Sequence, residues 1–226
     1  MSSPESSYQP PSRLLRVILA FLGSDVIDIL GVLWRLGRRI LSMKAHEGMY
    51  EVLEYETRLE LLDTKGEKAV LHKRERVRFL QDNIIAYQDK AWGDGNIFAD
   101  YRCSPGVAVD RYREGHRYQV LISLRETKHR NDIDEFHIER TIHRGFTKAI
   151  EDLQIDIDHV TRKFSISVVF PRKRFPKQVM LIEQNAARTT PLEAQDRLTL
   201  PDGRQQVTWS TNKPHLFEGY ILRWEW

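Results

Sequence analysis

Arg162, Lys163, Arg172, Lys173, Arg174 and Lys177 form the grouping that points most directly to chemistry. No acidic residue falls between Asp158 and Glu183, and Phe170 and Phe175 interleave with the cations. The run Arg172-Lys173-Arg174-Phe175-Pro176-Lys177 sits between two predicted strands, so it reads as an exposed basic loop able to take a phosphate, a nucleic acid or an anionic membrane surface. A solvated basic loop is the competing reading. Nucleic-acid binders ordinarily carry a larger positive excess, whereas the formal net charge here is +3. Residues 1–48 hold six basic and four acidic side chains and residues 49–226 hold 29 and 28, so any basic surface must come from arrangement.

Other constellations are weaker. Asp152, Asp156 and Asp158, followed by His159, offer oxygen ligands to a divalent cation, but no EF-hand or comparable loop accompanies them and a wet strand face explains them. His137, Glu139 and His143 share one strand face, a set that in a compact site would bind zinc or shuttle protons. At strand rise the two histidines are about 20 Å apart, too far for one ion. Cys103 is the only cysteine; it excludes an intrachain disulfide and a cysteine metal cluster, fits a reducing compartment, and reads as an inert thiol. The chain holds no P-loop, no GxGxxG, no GxSxG and no HExxH. Trp92, Trp209, Trp224 and Trp226 are candidates for a ligand cavity, although aromatic residues in strands more often build core. No catalytic residue, metal or cofactor is assigned.

Two kinds of element must carry these residues. From Leu14 to Leu41 the sequence LLRVILAFLGSDVIDILGVLWRLGRRIL places Leu15, Leu19, Leu22, Val26, Ile29, Leu33, Leu36 and Ile40 at alternating spacings of four and three, the seam of a buried helix. Ser24 is a candidate N-cap, with Asp25 and Asp28 after it and Arg35, Arg38 and Arg39 toward the end, as the helix dipole favours. Gly23 and Ser24 divide the stretch into one or two helices. As a transmembrane span it is marginal, because about −0.3 to −0.6 kcal/mol per apolar residue is largely offset by roughly +2.5 to +3.5 for each aspartate. An interfacial amphipathic helix and a helix for self-association or docking on a protein partner are the other readings. The expected organisation is a disordered tail over 1–12, a helical module over 13–43, a linker over 44–48 and a β domain over 49–226.

The β domain is legible as alternation. Leu53, Tyr55, Thr57, Leu59 and Leu61 oppose Glu54, Glu56, Arg58 and Glu60; a turn at Lys65-Gly66-Glu67 leads to a strand whose outward His72, Arg74, Arg76 and Arg78 would meet those glutamates. Further inner faces are Tyr118, Val120, Ile122 and Leu124; Phe136, Ile138 and Ile142; Leu153, Ile155 and Ile157; Phe164, Ile166, Val168 and Phe170; and Tyr220, Leu222, Trp224 and Trp226. About ten or eleven strands with closely spaced turn signals, and no helical pattern between them, predict a mainly β domain, an antiparallel sandwich or barrel.

Apolar N-terminal helices ahead of a β domain resemble, in layout, the bacterial antiphage effectors in which membrane helices precede a β-barrel that senses a cyclic nucleotide. The resemblance implies a non-enzymatic sensor; it carries no functional residue over, and Asp25 and Asp28 depart from it. The expected function is a binding or sensor protein of the cytoplasm, membrane-associated where the helices reach a bilayer. Its β domain would recognise an anionic ligand or a protein, and its helices would self-associate, dock on a partner or contact a membrane surface. A hydrolase with a cleft in the β domain, and a structural subunit of an assembly, are the alternatives.

Overall fold

The computed structural model describes residues 49–226. The helical stretch, with Leu15, Leu19, Leu22, Val26, Ile29, Leu33, Leu36 and Ile40, lies outside the described residues, and among those described no helix is long and apolar enough to cross a membrane.

Alternation makes the strands. In β1 (Tyr50–Leu61) Tyr55, Thr57, Leu59 and Leu61 are buried while Glu54, Glu56, Arg58 and Glu60 stay partly solvated. A bulge at Leu53 shifts the phase, so that Tyr50 and Val52 point inward and Leu53 does not join the expected inner row. The turn is tied by Asp63, whose carboxylate accepts the N–H groups of Lys65 at 2.7 Å, Glu67 at 3.1 Å and Lys68 at 2.6 Å. Burial alone would raise the Asp63 carboxyl, and these donors hold it below the usual range instead. β2 (Lys68–Phe79) returns antiparallel, with Glu51 opposite Arg78, Glu54 opposite Arg76 and Glu56 opposite Arg74. The expected ion-pair ladder forms in part: Arg74 reaches Glu54 at 2.9 Å, Glu56 at 2.6 Å and Glu135 at 2.9 Å, and Arg78 reaches Glu51 at 3.0 Å, while Arg76 makes no ion pair among the described residues.

The remaining strands are β3 (Ile84–Ala91), β4 (Asn96–Ser104), β5 (Val107–Glu114), β6 (Arg117–Lys128), β7 (Ile133–His143), β8 (Ile150–Asp156), β9 (Phe164–Phe170), β10 (Gln178–Glu183), β11 (Arg188–Pro191), β12 (Arg197–Thr199), β13 (Gln205–Thr211) and β14 (Gly219–Glu225). They form a seven-stranded sheet in the order β12-β13-β9-β1-β2-β7-β4, a four-stranded sheet β11-β10-β14-β8 and a three-stranded sheet β3-β6-β5. The domain is thus sandwich-like and built of three sheets, and not the closed barrel that the sequence left open. It also departs from a wholly antiparallel plan, because β1 and β9 run parallel, Tyr55 beside Phe164 and Leu59 beside Val168. The expected ten or eleven strands are exceeded by the fourteen found among the described residues, the excess including short edge pieces such as β11 and β12, which have too few residues to alternate visibly.

Both small sheets cover the same face of the large one. The three-stranded sheet packs through Tyr87, whose ring stacks on Phe136 of β7 at 3.9 Å, with 10° between the planes. The four-stranded sheet packs through Tyr220, with Phe164 of β9 at 5.2 Å and Trp209 of β13 at 5.0 Å, and through Trp224, with Phe170 at 5.7 Å. Sheets packed face to face lie about 10 Å apart, and residues of the large sheet, of β3 and of β8 together line a cavity between them.

Candidate functional site

Charge enters this core from the floor. On β2, Lys73 and Glu75 take the inward positions between Leu71 and Val77 and are 9% and 5% exposed. Lys73 Nζ lies 2.8 Å from Glu75 and 2.9 Å from Asp89 of β3, which is fully buried; the Tyr101 hydroxyl donates to Asp89 at 3.2 Å, and that of Tyr87 donates to Glu75. Burial pulls the Lys73 ammonium toward its neutral form, and the fields of Asp89 and Glu75 more than reverse this, leaving its pKa well above the ordinary lysine value. One cation between two carboxylates leaves a surplus negative charge inside the core.

Arg140 occupies the next row. It stands on β7 opposite Leu71 of β2 and Tyr101 of β4, at the parity of Phe136, Ile138 and Ile142, and is 6% exposed. Its Nε and Nη1 are buried without a hydrogen-bond partner. An arginine has five N–H donors, and a buried charged donor left unmade costs more than a neutral one. A cavity of about 190 Å³ opens beside it. Lys73, Arg140 and Thr57 line it from the large sheet, Trp92 and Asp94 from the β3–β4 turn, and Glu151 from β8. Thr57 beside it is likewise buried. Apolar wall comes from Leu71, Ile97, Ile142, Phe146 and Leu153. This is the arrangement of a small-molecule site: mostly apolar walls and a few polar groups that fix orientation.

The sequence-predicted cations are elsewhere. Arg162 and Lys163 precede β9 while Arg172, Lys173, Arg174 and Lys177 follow it, so the length of that strand separates the two groups. Arg162 pairs with Glu51 at 3.1 Å and Lys177 with Glu225 at 3.1 Å; Arg174 donates to the Thr64 carbonyl at 2.6 Å and covers the Trp226 ring at 3.8 Å. Lys163, Arg172 and Lys173 are not brought together with the inter-sheet cavity. Each aspartate of the β8 set has a basic partner: Asp152 with Arg223, Asp156 with Arg117 and Asp158 with Lys90. Among the described residues no three His, Cys, Asp or Glu side chains converge on a metal-sized site. Cys103 is half-buried on the inner side of β4, and burial pushes its thiol up, away from the nucleophilic thiolate. Of the four tryptophans singled out, Trp92 lines the cavity, with Arg117 over its ring at 4.7 Å.

The outer face of the seven-stranded sheet carries a larger, open hollow of about 640 Å³. Its charges are spent on one another through the Arg74 ladder and pairs such as Arg102 with Glu139. The smaller inter-sheet cavity is the better candidate because its guanidinium is not so spent.

No family model matches the chain, and no curated protein matches it in sequence. Among solved structures it is similar to an M1 zinc metallopeptidase from Deinococcus radiodurans, at 9% identity and a TM-score of 0.46 over 77% of this chain and 42% of that one. It is similar also to a protein named as a candidate protease from Parabacteroides distasonis, at 8% identity and a TM-score of 0.48 over 79% and 40%. The chain therefore spans about two fifths of the length of these structures.

Proposed function

We propose that the β domain is a binding module that admits a small anionic ligand to the cavity between its three sheets, with Arg140 as the principal anchor. The observation that carries this reading is the buried guanidinium whose Nε and Nη1 have no partner and whose side chain lines a cavity. A carboxylate or phosphate oxygen would accept from it in a charge-assisted, bidentate geometry. Calorimetric titration of the full chain with short carboxylates and inorganic phosphate is the test. Arg140→Met should abolish binding while leaving stability unchanged or raised by about 1 kcal/mol, since an unpaired buried charge gives way to an apolar side chain. Unchanged affinity in that variant would remove Arg140 from the site and end this reading.

The second half of the proposal concerns residues 13–43, whose apolar seam would contact a membrane or a second chain and so couple ligand binding to assembly. Flotation of the full chain with anionic vesicles should be lost when Leu19, Leu22 and Val26 are changed to glutamate. Flotation that survives those changes would rule the seam out as the membrane contact.

A further inference from the structure

The anion-binding reading leaves a second buried charge unexplained. Glu151 is 7% exposed, yet it stands on the inward face of β8 with Leu153 and Ile155 and lines the same cavity as Arg140. Its Oε1 accepts the backbone N–H of Lys148, whose ammonium pairs instead with Asp94. No ion pair joins Glu151 to a basic side chain, or Arg140 to an acidic one, among the described residues. Two opposite charges thus face one cavity from different sheets without meeting. Burial raises the Glu151 carboxyl, partly offset by the Lys148 N–H, so a positive group beside it would be doubly welcome.

Each simple ligand class leaves one of these groups unsatisfied. A plain anion satisfies Arg140 but sets a second negative charge in the gap with Glu151; a plain cation does the reverse. A ligand carrying both charges on one carbon satisfies both, and the spacing between packed sheets, about 10 Å, suits one small molecule spanning them. The cavity of about 190 Å³ corresponds to roughly six waters. Its walls at Leu71, Ile97, Ile142, Phe146 and Leu153 call for an apolar remainder. Building on the anion-site reading, we propose that the occupant is a free α-amino acid with a small aliphatic side chain, its carboxylate on Arg140 and its ammonium on Glu151.

Calorimetry on the full chain with leucine, isocaproate (leucine without its ammonium) and isoamylamine (leucine without its carboxylate) separates this inference from the reading beneath it. Leucine should bind, and each truncated analogue should bind at least about 30-fold more weakly, because each leaves a buried charge unpaired. Glu151→Gln should weaken leucine by about 10- to 100-fold while isocaproate binds as before or better, which also reports that the variant is folded. Arg140→Met should lose both ligands. If isocaproate matches leucine and Glu151→Gln changes neither, the amino-acid assignment falls and the anion site stands. If leucine, isocaproate and the simple anions all fail to bind, both fall.

Discussion

Replacing Lys73 with methionine is expected to cost about 3–5 kcal/mol of unfolding free energy, the usual penalty for removing one member of a buried ion pair. The cause lies less in the lost attraction than in what remains. Asp89 is fully buried and Glu75 is 5% exposed, and without the ammonium at 2.8 and 2.9 Å they would repel one another in a core that supplies hydroxyls from Tyr87 and Tyr101 but no other cation at contact. A triple variant, Lys73→Met with Glu75→Gln and Asp89→Asn, keeps acceptors for both tyrosines and removes the stranded charges, so it should regain about half of the loss. Urea unfolding midpoints of the two variants decide the matter. A single variant within about 1 kcal/mol of the parent would mean that water already reaches these carboxylates.

The same cluster sets the alkaline limit of the fold. Burial first, and then nearby carboxylates, push four phenols above their ordinary value, Glu75 and Asp89 acting on Tyr50, Tyr55 and Tyr87 and Asp89 on Tyr101, and Lys73 is also raised. A group raised on folding contributes stability that is complete below its unfolded pKa, about 10 for tyrosine and 10.4 for lysine, and that drains away as pH climbs through the folded value. These five groups should leave stability flat through neutrality and erode it above about pH 10.

Much of this interior was written in strand parity. Once His72, Arg74, Arg76 and Arg78 are placed outward, Lys73 and Glu75 must point inward with Leu71 and Val77, and the structure places them there. Arg140 falls at the parity of Phe136, Ile138 and Ile142, and Glu151 at that of Leu153, Ile155 and Ile157. A charged residue in phase with an apolar row is therefore the signal that would have found this site. Density of positive charge along the chain directed attention instead to Arg172 and its neighbours, where Arg174 is held by the Thr64 carbonyl and the Trp226 ring and Lys177 pairs with Glu225. What alternation does not contain is which sheet covers which. The pairing of Lys73 with Asp89, sixteen residues on, depends on β3 leaving the hairpin's sheet to start another. The parallel pairing of β1 with β9 is equally silent in either strand's own sequence.

Trp224→Ala should be comparably costly, about 3–5 kcal/mol, for a different reason. Trp224 is 1% exposed, joins the four-stranded sheet to the large one through Phe170 at 5.7 Å, and is flanked by Phe146 at 5.8 Å and Trp226 at 6.1 Å. Truncation leaves a void that sheets held by their own ladders cannot collapse to fill. Its indole N–H is buried without a partner, so Trp224→Phe surrenders volume but no hydrogen bond and should cost less than about 2 kcal/mol. Phe146 touches Trp224 and also walls the cavity beside Arg140, so the alanine variant should weaken ligand binding as well as stability. The phenylalanine variant should keep both. Chemical denaturation and the same calorimetric titration, run side by side, test the link: an alanine variant that loses stability but binds with parental affinity would show that the cavity wall is held by the sheets and not by the Trp224 contact.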